Sequence, residues 1–209
     1  MTDIEDLISS IEKYHDITIL YYKNYKKYPN SDFNFLRSKT LRNSVISHNL
    51  KKIILRKSFI NLVEKNILKM DEPFLKTLIL KPNKSTSGIL SISILTSPYP
   101  SWKDSDGNNK IQDFSCEHDC YFCPNERNDK NEMVMPRSYL SNEPACRRGL
   151  RNNFDPIEQI YDRLFSLENQ GHPLDKLELI VLGGTVLEYP REYLEYFTRQ
   201  CFYICNMYP

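Results

Sequence analysis

The sequence predicts an α/β fold, an incomplete (β/α) barrel preceded by a mostly helical N-terminal region. Two apolar runs rich in β-branched residues, 89–95 and 177–182, have the length and composition of strands. A helical pattern follows each of them, at 155–170 and again from about residue 190. Strands that alternate with helices pair in parallel, so this order is typical of the start of a β/α barrel.

The first predicted domain, residues 1–80, is helical and basic. Apolar residues recur at helical spacing in two stretches, Ile4, Leu7, Ile8 and Ile11, and then Ile53, Ile54, Ile60, Val63, Ile67 and Leu68. Between them, tyrosines and lysines are interleaved over residues 21–28. Lysines on such a helix usually form a solvated face. Lysines mixed with aromatics also suit a nucleic-acid backbone with exposed bases, which makes Lys23, Lys26 and Lys27 candidate RNA-binding residues.

The second predicted domain, residues 81–209, carries the candidate site. A long irregular stretch from Thr96 to Phe154 follows the first strand and contains three clustered cysteines. Structureless loops of this length are usually functional, so we expect this loop to wrap a cofactor. The turn Gly183-Gly184-Thr185 follows the second strand. In β/α barrels the strand C-terminal ends carry the active site, so the loop and the turn belong to the same face.

The clustered cysteines Cys116, Cys120 and Cys123 form a CxxxCxxC motif. Three thiolates this close in sequence can hold three irons of a 4Fe–4S cluster and leave the fourth iron without a protein ligand. That open iron can accept the amino and carboxylate groups of S-adenosylmethionine (SAM), whose reductive cleavage starts radical chemistry.

Zinc is the alternative occupant, because cysteines at this spacing also occur in zinc sites and His118 could supply a fourth ligand. His118, however, lies between two of the cysteines, where it would struggle to reach the same metal. Cys201 and Cys205 lie four apart on a predicted helix, which is typical of buried hydrophobic residues. The residues favour an iron–sulfur site, and a zinc-stabilised nucleic-acid-binding module stays as the alternative.

The composition limits the possible partners and the location of the protein less sharply than the motifs do. The net charge of +1 gives no general attraction to nucleic acid or to membranes. The N-terminus has no apolar segment of the signal-peptide kind, and no apolar run approaches membrane-spanning length. Clustered cysteines fit a reducing compartment, because a disulfide would consume the ligands. We therefore expect a cytoplasmic protein that does not enter a membrane.

Short segments between Lys81 and Phe197 carry a resemblance to a known family. They are Lys81–Gly88, Cys120–Pro124, Ser138-Tyr139, Glu143-Pro144, Arg148, Arg151, Asp155-Pro156, Gln159, Gly171-His172, Asp175–Glu178 and Gly183-Gly184-Thr185. In order and spacing they resemble the radical-SAM superfamily, and within it the catalytic subunit of Elongator, the tRNA uridine acetyltransferase family.

The resemblance implies a radical-SAM partial TIM barrel linked to modification of carbon 5 of the tRNA wobble uridine. The residues to which it assigns roles are the cluster ligands Cys116, Cys120 and Cys123, the SAM-lining residues Gly183, Gly184 and Thr185, and Lys176, which matches a family lysine associated with acetyl-CoA. The implied cofactors are a 4Fe–4S cluster and SAM, with acetyl-CoA as a substrate. The implied partners are tRNA and either Elongator-like subunits or a second chain that completes the barrel. No catalytic side chain is implied.

The chain departs from the family pattern in three ways. The gap between Cys116 and Cys120 is the short one general to radical-SAM proteins, and Asn125-Glu126-Arg127 replaces glycines that the family has after the third cysteine. The chain also contains only two recognisable strand–helix units and no acetyltransferase-like domain. We therefore expect an incomplete enzyme whose second strand has an exposed apolar edge. A non-catalytic, truncated homologue that binds RNA or a partner is the second hypothesis.

Overall fold

The computed structural model describes residues 11–42 and 50–208. The chain divides into two compact units, one made of residues 1–88 and 166–174 and the other of residues 89–165 and 175–209. The division predicted at residue 81 stays a prediction. Ile4, Leu7 and Ile8 lie outside the described residues.

The described chain alternates helices with short strands. The helices are α1 (His15–Lys27), α2 (Phe33–Leu41), α3 (Lys52–Glu64), α4 (Glu72–Thr77), α5 (Pro144–Arg151), α6 (Pro156–Asn169) and α7 (Arg191–Met207). The strands are β1 (Leu90–Leu95), β2 (Ser101–Lys103), β3 (Asn109–Ile111) and β4 (Leu177–Leu182). Short 3-10 turns occupy Ile11–Tyr14, Pro82–Ser85 and Val186–Glu188. No helix among the described residues is both long enough and apolar enough to span a bilayer.

The first unit packs its helices around an aromatic core. The buried members of this core are Ile17, Tyr21, Leu36, Leu50, Leu55, Phe59, Phe74, Leu75 and Leu78. The rings of Phe59 and Phe74 meet edge to face, with centroids 4.8 Å apart, a geometry that aromatic pairs prefer. Tyr22, Tyr25 and Tyr28 of the Tyr/Lys-rich segment pack against the same core. These tyrosines therefore serve as core residues of α1 rather than as a free stacking surface.

Helix α3 ends earlier than predicted. It stops at Glu64, and Asn66 adopts a left-handed backbone conformation with φ of 57°. Asparagine tolerates this conformation and commonly ends helices. As a result Ile67, predicted to lie on the buried face, is 55% exposed.

Asp71 connects two helices of the first unit through contacts with three residues. Its carboxylate accepts a hydrogen bond from the backbone N–H of Phe74 at 3.0 Å and so caps α4. It also accepts from the hydroxyl of Tyr22 at 2.7 Å and pairs with the ammonium group of Lys26 at 2.6 Å. The side chain links α1 to the start of α4.

We expect Asp71→Asn to lower the free energy of unfolding by about 1–2 kcal/mol at neutral pH, because the amide keeps the cap but loses the charge. Burial opposes ionisation of Asp71, but the hydrogen bonds from Lys26, Phe74 and Tyr22 outweigh it and hold the pKa of the carboxyl below its ordinary value. The stabilisation is therefore complete above the unfolded-state pKa of about 3.9 and is lost as the pH falls through the folded-state pKa. Urea unfolding of both proteins at neutral pH and at about pH 2 measures the difference. An unchanged difference at the two pH values would contradict this account, and Glu72→Gln, at an exposed neighbour, is the control.

The second unit contains a small parallel sheet, which confirms the predicted α/β class. Strands β1 and β4 pair in parallel over their whole length, from Leu90 opposite Leu177 to Leu95 opposite Leu182. The stretch between Thr96 and Phe154 is less irregular than predicted. Strands β2 and β3 form an antiparallel hairpin, and α5 starts at Pro144, where proline suits the first helical turn. This helix carries Arg147, Arg148 and Arg151.

Side chains close the edge of β1 that faces away from β4. The buried amide of Gln159 accepts a hydrogen bond from the backbone N–H of Leu95 at 2.9 Å and donates to the carbonyl of the same residue at 2.8 Å. The guanidinium group of Arg148 donates to the carbonyl of Ser93 at 3.3 Å. The amide of Gln159 thus takes the place that a neighbouring strand would have beside Leu95. The backbone N–H and carbonyl of Leu95 on this edge of β1 therefore both have hydrogen-bond partners.

The outer edge of β4 differs from that of β1. Among the described residues, β4 pairs only with β1. Ile180 and Val181 point to opposite faces of the sheet and are 40% and 48% exposed. The prediction of an exposed apolar edge on the second strand is confirmed.

Helix α6 begins as predicted, with the side chain of Asp155 accepting a hydrogen bond from the backbone N–H of Glu158 at 2.9 Å. Ile160, Leu164 and Leu167 are buried, as the apolar pattern indicated. Tyr161 falls in the same apolar pattern of the sequence and is therefore also predicted to be buried, but this prediction is wrong, since the residue is 47% exposed. Its ring lies beside those of Phe165 and Tyr208, with the centroids 6.2 and 5.6 Å away.

Candidate cofactor-binding site

The carboxyl ends of β1 and β4 are tied together by a buried tyrosine. The hydroxyl of Tyr189 accepts a hydrogen bond from the backbone N–H of Gly184 at 2.8 Å and lies 2.6 Å from Oγ1 of Thr96. The backbone N–H of Thr96 donates to the carbonyl of Leu182 at 2.9 Å and so continues the ladder. Burial raises the pKa of Tyr189, which keeps its hydroxyl protonated. The glycine turn is therefore fixed against the end of β1.

The cysteine loop packs directly on this turn. Sγ of Cys116 lies 3.5 Å from Oγ1 of Thr185. The carbonyl of Ser115 approaches Gly184 so closely that a methyl group at Gly184 would lie 2.2 Å from its oxygen. A methyl group at Gly183 would lie 2.0 Å from Oγ1 of Thr96. Both glycines are thus needed for contacts within the protein, in addition to the ligand approach that was predicted for them.

The third cysteine is held by a separate contact. Its Sγ lies 3.1 Å from the hydroxyl of Ser138, and its backbone N–H donates to the carbonyl of Cys120 at 3.0 Å. The backbone N–H of Ser138 donates to the carbonyl of Pro124 at 3.2 Å. The third cysteine is thus held in place by its neighbours within the loop.

Side chains organise the segment in which the family's glycines are replaced. The carboxylate of Glu126 accepts hydrogen bonds from the backbone N–H and the hydroxyl of Ser141, both at 2.5 Å. The guanidinium group of Arg127 donates to the carbonyl of Asn131 at 2.7 Å. The substituted segment is therefore an ordered turn with its own polar contacts.

The positions of the three cysteines can be compared with those that a zinc ion or an iron–sulfur cluster requires. None of the cysteines is in a disulfide; Cys116 and Cys123 are half-buried, and Cys120 is exposed. Within the described part of the chain, the set of three ligand groups that lies within 4.8 Å is Glu117, His118 and Glu188, and the three cysteines form no such set. One tetrahedral zinc would bring its sulfurs to about 3.8 Å from one another, given a Zn–S distance of ~2.3 Å.

The imidazole of His118 contacts a carboxylate and not one of the cysteine sulfurs. Its Nε2 lies 3.4 Å from a carboxylate oxygen of Glu188. Thiolates that are spread around a larger group, each binding a different iron, suit a 4Fe–4S cluster. In this structure the three cysteine sulfurs do not surround one tetrahedral zinc, and the iron–sulfur interpretation stays a prediction.

A cleft of about 410 Å³ opens beside the glycine turn. It is lined by Thr96, Tyr139, Gly183, Gly184, Val186 and Leu194, among others. Its volume is within the range of small-molecule sites, and its position at the carboxyl ends of two parallel strands is where such sites are expected. A larger cleft of about 780 Å³ lies between the hairpin and α7, but none of the predicted site residues lines it.

Lys176 is not brought to the cysteines. It is exposed and immediately precedes β4, at the end of the strand opposite to the glycine turn. A strand of this length extends about 20 Å, so Lys176 is separated from Gly183 by that distance. The structure therefore places the residue predicted to bind acetyl-CoA apart from the residues predicted to bind SAM.

The candidate RNA-binding lysines lie together on α1, in the other unit. Lys23 is exposed. The ammonium group of Lys27 lies 5.5 Å from the ring centroid of Tyr28, and that of Lys26 pairs with Asp71. Lys26 thus has a partner within the protein.

Sequence analysis missed several residues of the site. Tyr189, Thr96 and Ser115 shape the glycine turn and the cysteine loop, yet none belongs to a recognisable motif. Cys201 was interpreted correctly as a buried apolar residue, since it is 4% exposed and burial raises its pKa to about 12. A thiol with so high a pKa is a poor metal ligand.

Curated proteins match part of this chain. The chain is 38% identical over 122 residues to the tRNA uridine(34) acetyltransferase of Methanocaldococcus infernus, an alignment that covers 58% of this chain and 20% of that protein. It is 33% identical over 119 residues to human Elongator complex protein 3, covering 57% of this chain and 20% of the relative. The predicted resemblance is confirmed.

The yeast Elongator complex protein 3 matches at 30% identity over 123 residues, covering 56% of this chain and 19% of its own length. The chain thus spans about a fifth of the length of the curated relatives that it matches. No protein-family model matches the chain.

Proposed function

We propose that this chain binds a 4Fe–4S cluster and SAM, and that it is an Elongator-like radical-SAM protein linked to the modification of tRNA uridine 34. The observation that carries the proposal is the packing of the cysteine loop on the glycine turn, with Sγ of Cys116 3.5 Å from Oγ1 of Thr185 at the ends of two parallel strands. The similarity to proteins named for tRNA uridine(34) acetylation supports the choice of reaction.

In this proposal Cys116, Cys120 and Cys123 each hold one iron. When bound, the cluster supplies the electron for reductive cleavage of SAM. The hydroxyls of Thr185 and Ser138 lie within hydrogen-bond distance of the sulfurs of the first and third cysteines and would hold these ligands in place. The largely apolar cleft beside the glycine turn limits access of water to a bound SAM molecule.

The proposal includes three further contacts, with an additional strand, with acetyl-CoA and with tRNA. The open edge of β4 is where a further strand of a radical-SAM barrel would pair, supplied by an Elongator-like subunit or a second chain. An acetyl-CoA contact at Lys176 would lie at the far end of β4, away from SAM. A tRNA contact on α1, in what we propose to be a cytoplasmic protein, would use Lys23 and Lys27, with Lys26 committed to Asp71. A binding role without catalysis is the second candidate, because the open β4 edge leaves the sheet incomplete.

Anaerobic reconstitution with iron and sulfide tests the proposal. We expect about four irons per chain and the broad visible absorption of a 4Fe–4S cluster. Cys120→Ala should abolish both, because two thiolates cannot replace three. Cys205→Ala should leave both unchanged, because this thiol lies on α7 among buried residues. Stoichiometric zinc without iron uptake would overturn the proposal. A cluster that forms but does not cleave SAM under reducing conditions would favour the binding role.

A further inference from the structure

Arg137 is buried within the cysteine loop. Only 5% of the residue is exposed, although it carries a full charge and belongs to no recognised motif. Its backbone N–H donates to the hydroxyl of Ser115 at 2.8 Å, and one Nη group donates to the carbonyl of His118 at 3.2 Å and pairs with the carboxylate of Asp119. With the amide of Asn125 turned so that its oxygen faces Arg137, the other Nη group donates to that oxygen at 2.7 Å.

These contacts reach three segments of the loop that carries the cysteines. Ser115 precedes the first cysteine, His118 and Asp119 lie between the first and the second, and Asn125 follows the third. A guanidinium group is planar and holds its donors at fixed angles, so one side chain can fix several acceptors relative to one another. Arg137 therefore connects the segment before the first cysteine, the segment between the first and the second, and the segment after the third.

The side chain also has an unused donor. Nε of Arg137 is buried and makes no hydrogen bond with any described residue. Buried donors without a partner are uncommon in folded proteins and call for a specific explanation. Asp119, the acidic partner, is 94% exposed at its side chain, so solvent weakens its compensation of the buried charge. Arg137 and Cys116 both line a cleft of about 370 Å³. The residue that carries this spare donor and a positive charge thus lines the same cleft as a sulfur ligand.

We infer that Arg137 is the positioning residue of the cysteine loop, which orders the three thiolates before the cluster binds and lends its charge to the cluster. The inference rests on the proposed function for its second half only. A buried cation stabilises the more negative, reduced form of an iron–sulfur cluster, because net charge and hydrogen bonding set the reduction potential.

The first test uses the protein without its cluster. Tyr121 and Phe122 lie between the second and third cysteines and are fully exposed, so chymotrypsin can cleave there once the loop opens. We expect Arg137→Gln to raise the rate of cleavage at these residues by about tenfold, as measured by fragment mass. Arg127→Gln is the matched control, because Arg127 lines the same cleft and donates to the same turned amide of Asn125 at 3.3 Å, but it is exposed and its other partner is the carbonyl of Asn131. Equal rates in the two variants would overturn the positioning role, whether or not the chain binds iron.

The second test uses the reconstituted protein. In Arg137→Gln we expect the ratio of reduced to oxidised cluster at a fixed potential to fall by about tenfold, which is ~59 mV for a one-electron couple. Arg137→Lys keeps the charge without the planar group, so it should open the loop to chymotrypsin while lowering the potential less. A potential in Arg137→Gln equal to that of Arg127→Gln would overturn the electrostatic role. A wild-type chain that takes up no iron would instead refute the proposed function and leave the result of the protease test standing.

Two further variants cover the case in which Arg137→Gln does not fold. Asn125→Ala and Asp119→Ala each remove a partner and leave Arg137 in place. Each should raise cleavage at Tyr121 and Phe122, and Asn125→Ala more so, because Asp119 is exposed to solvent. No increase in either would overturn the inference.

Discussion

Gly184→Ala should prevent the chain from assembling its cluster. The added methyl group would lie 2.2 Å from the carbonyl oxygen of Ser115, far inside van der Waals contact, and that oxygen belongs to the backbone. Relief requires the cysteine loop to move off the glycine turn, and Cys116 is the next residue along. After reconstitution, we expect iron to fall from about four per chain to fewer than one.

Gly107→Ala is the control for this experiment. Gly107 has φ of 82°, so alanine there strains the backbone and costs about 1 kcal/mol. No atom lies within 4 Å of the added methyl group, and the hairpin can absorb the change without moving the cysteine loop. If both alanine variants bind iron as well as the wild type, the loop does not depend on its close approach to Gly184.

Gln159→Ala should be the most destabilising polar substitution in the second unit. It removes both hydrogen bonds to Leu95, and these buried backbone groups then have no partner at the edge of β1. Each unsatisfied group costs about 1–3 kcal/mol, so the free energy of unfolding should fall by roughly 2–6 kcal/mol. Denaturant unfolding followed by the fluorescence of Trp102, the single tryptophan, reports on this unit.

Asn206→Ala provides the comparison in the same unit. Its amide donates to the carbonyl of Phe202 at 2.9 Å, but the residue is exposed and water can replace that bond. We expect a loss of less than about 1 kcal/mol. Similar losses for the two variants would mean that the amide of Gln159 does not substitute for a strand.

The sequence predicted the parts of the site that depend on chain order. The runs around Ile92 and Ile180 were assigned as strands from composition alone, and their parallel pairing follows from the helix between them. Once the strands are parallel, the cysteine loop and the Gly183 turn must follow the same edge of the sheet. This reasoning needs no knowledge of side-chain contacts, which is why it succeeded.

The sequence could not predict contacts that depend on packing. Tyr189 and Arg137 are distant in sequence from most of their partners, and a tyrosine or an arginine alone does not indicate what it will contact. Tyr22 illustrates the opposite error, because alternation with lysine suggested exposure whereas the helical period directs its ring onto Phe74. Ile67 was misassigned because the left-handed backbone of Asn66 ends the helix before it.

The unequal edges of the small sheet limit how copies of the chain can associate. Head-to-tail stacking of sheets into a filament needs two open edges on each copy, one to receive and one to extend. The amide of Gln159 and the guanidinium group of Arg148 occupy one edge at Leu95 and Ser93, so in this sheet the described residues leave β4 as the edge that can recruit a strand. Two copies that met through β4 would pair antiparallel about a twofold axis and leave nothing for a third. Because the outer edge of β1 is occupied, two copies can pair through β4, but no further copy can be added at the other edge of this sheet, so a fibre cannot grow by strand addition there.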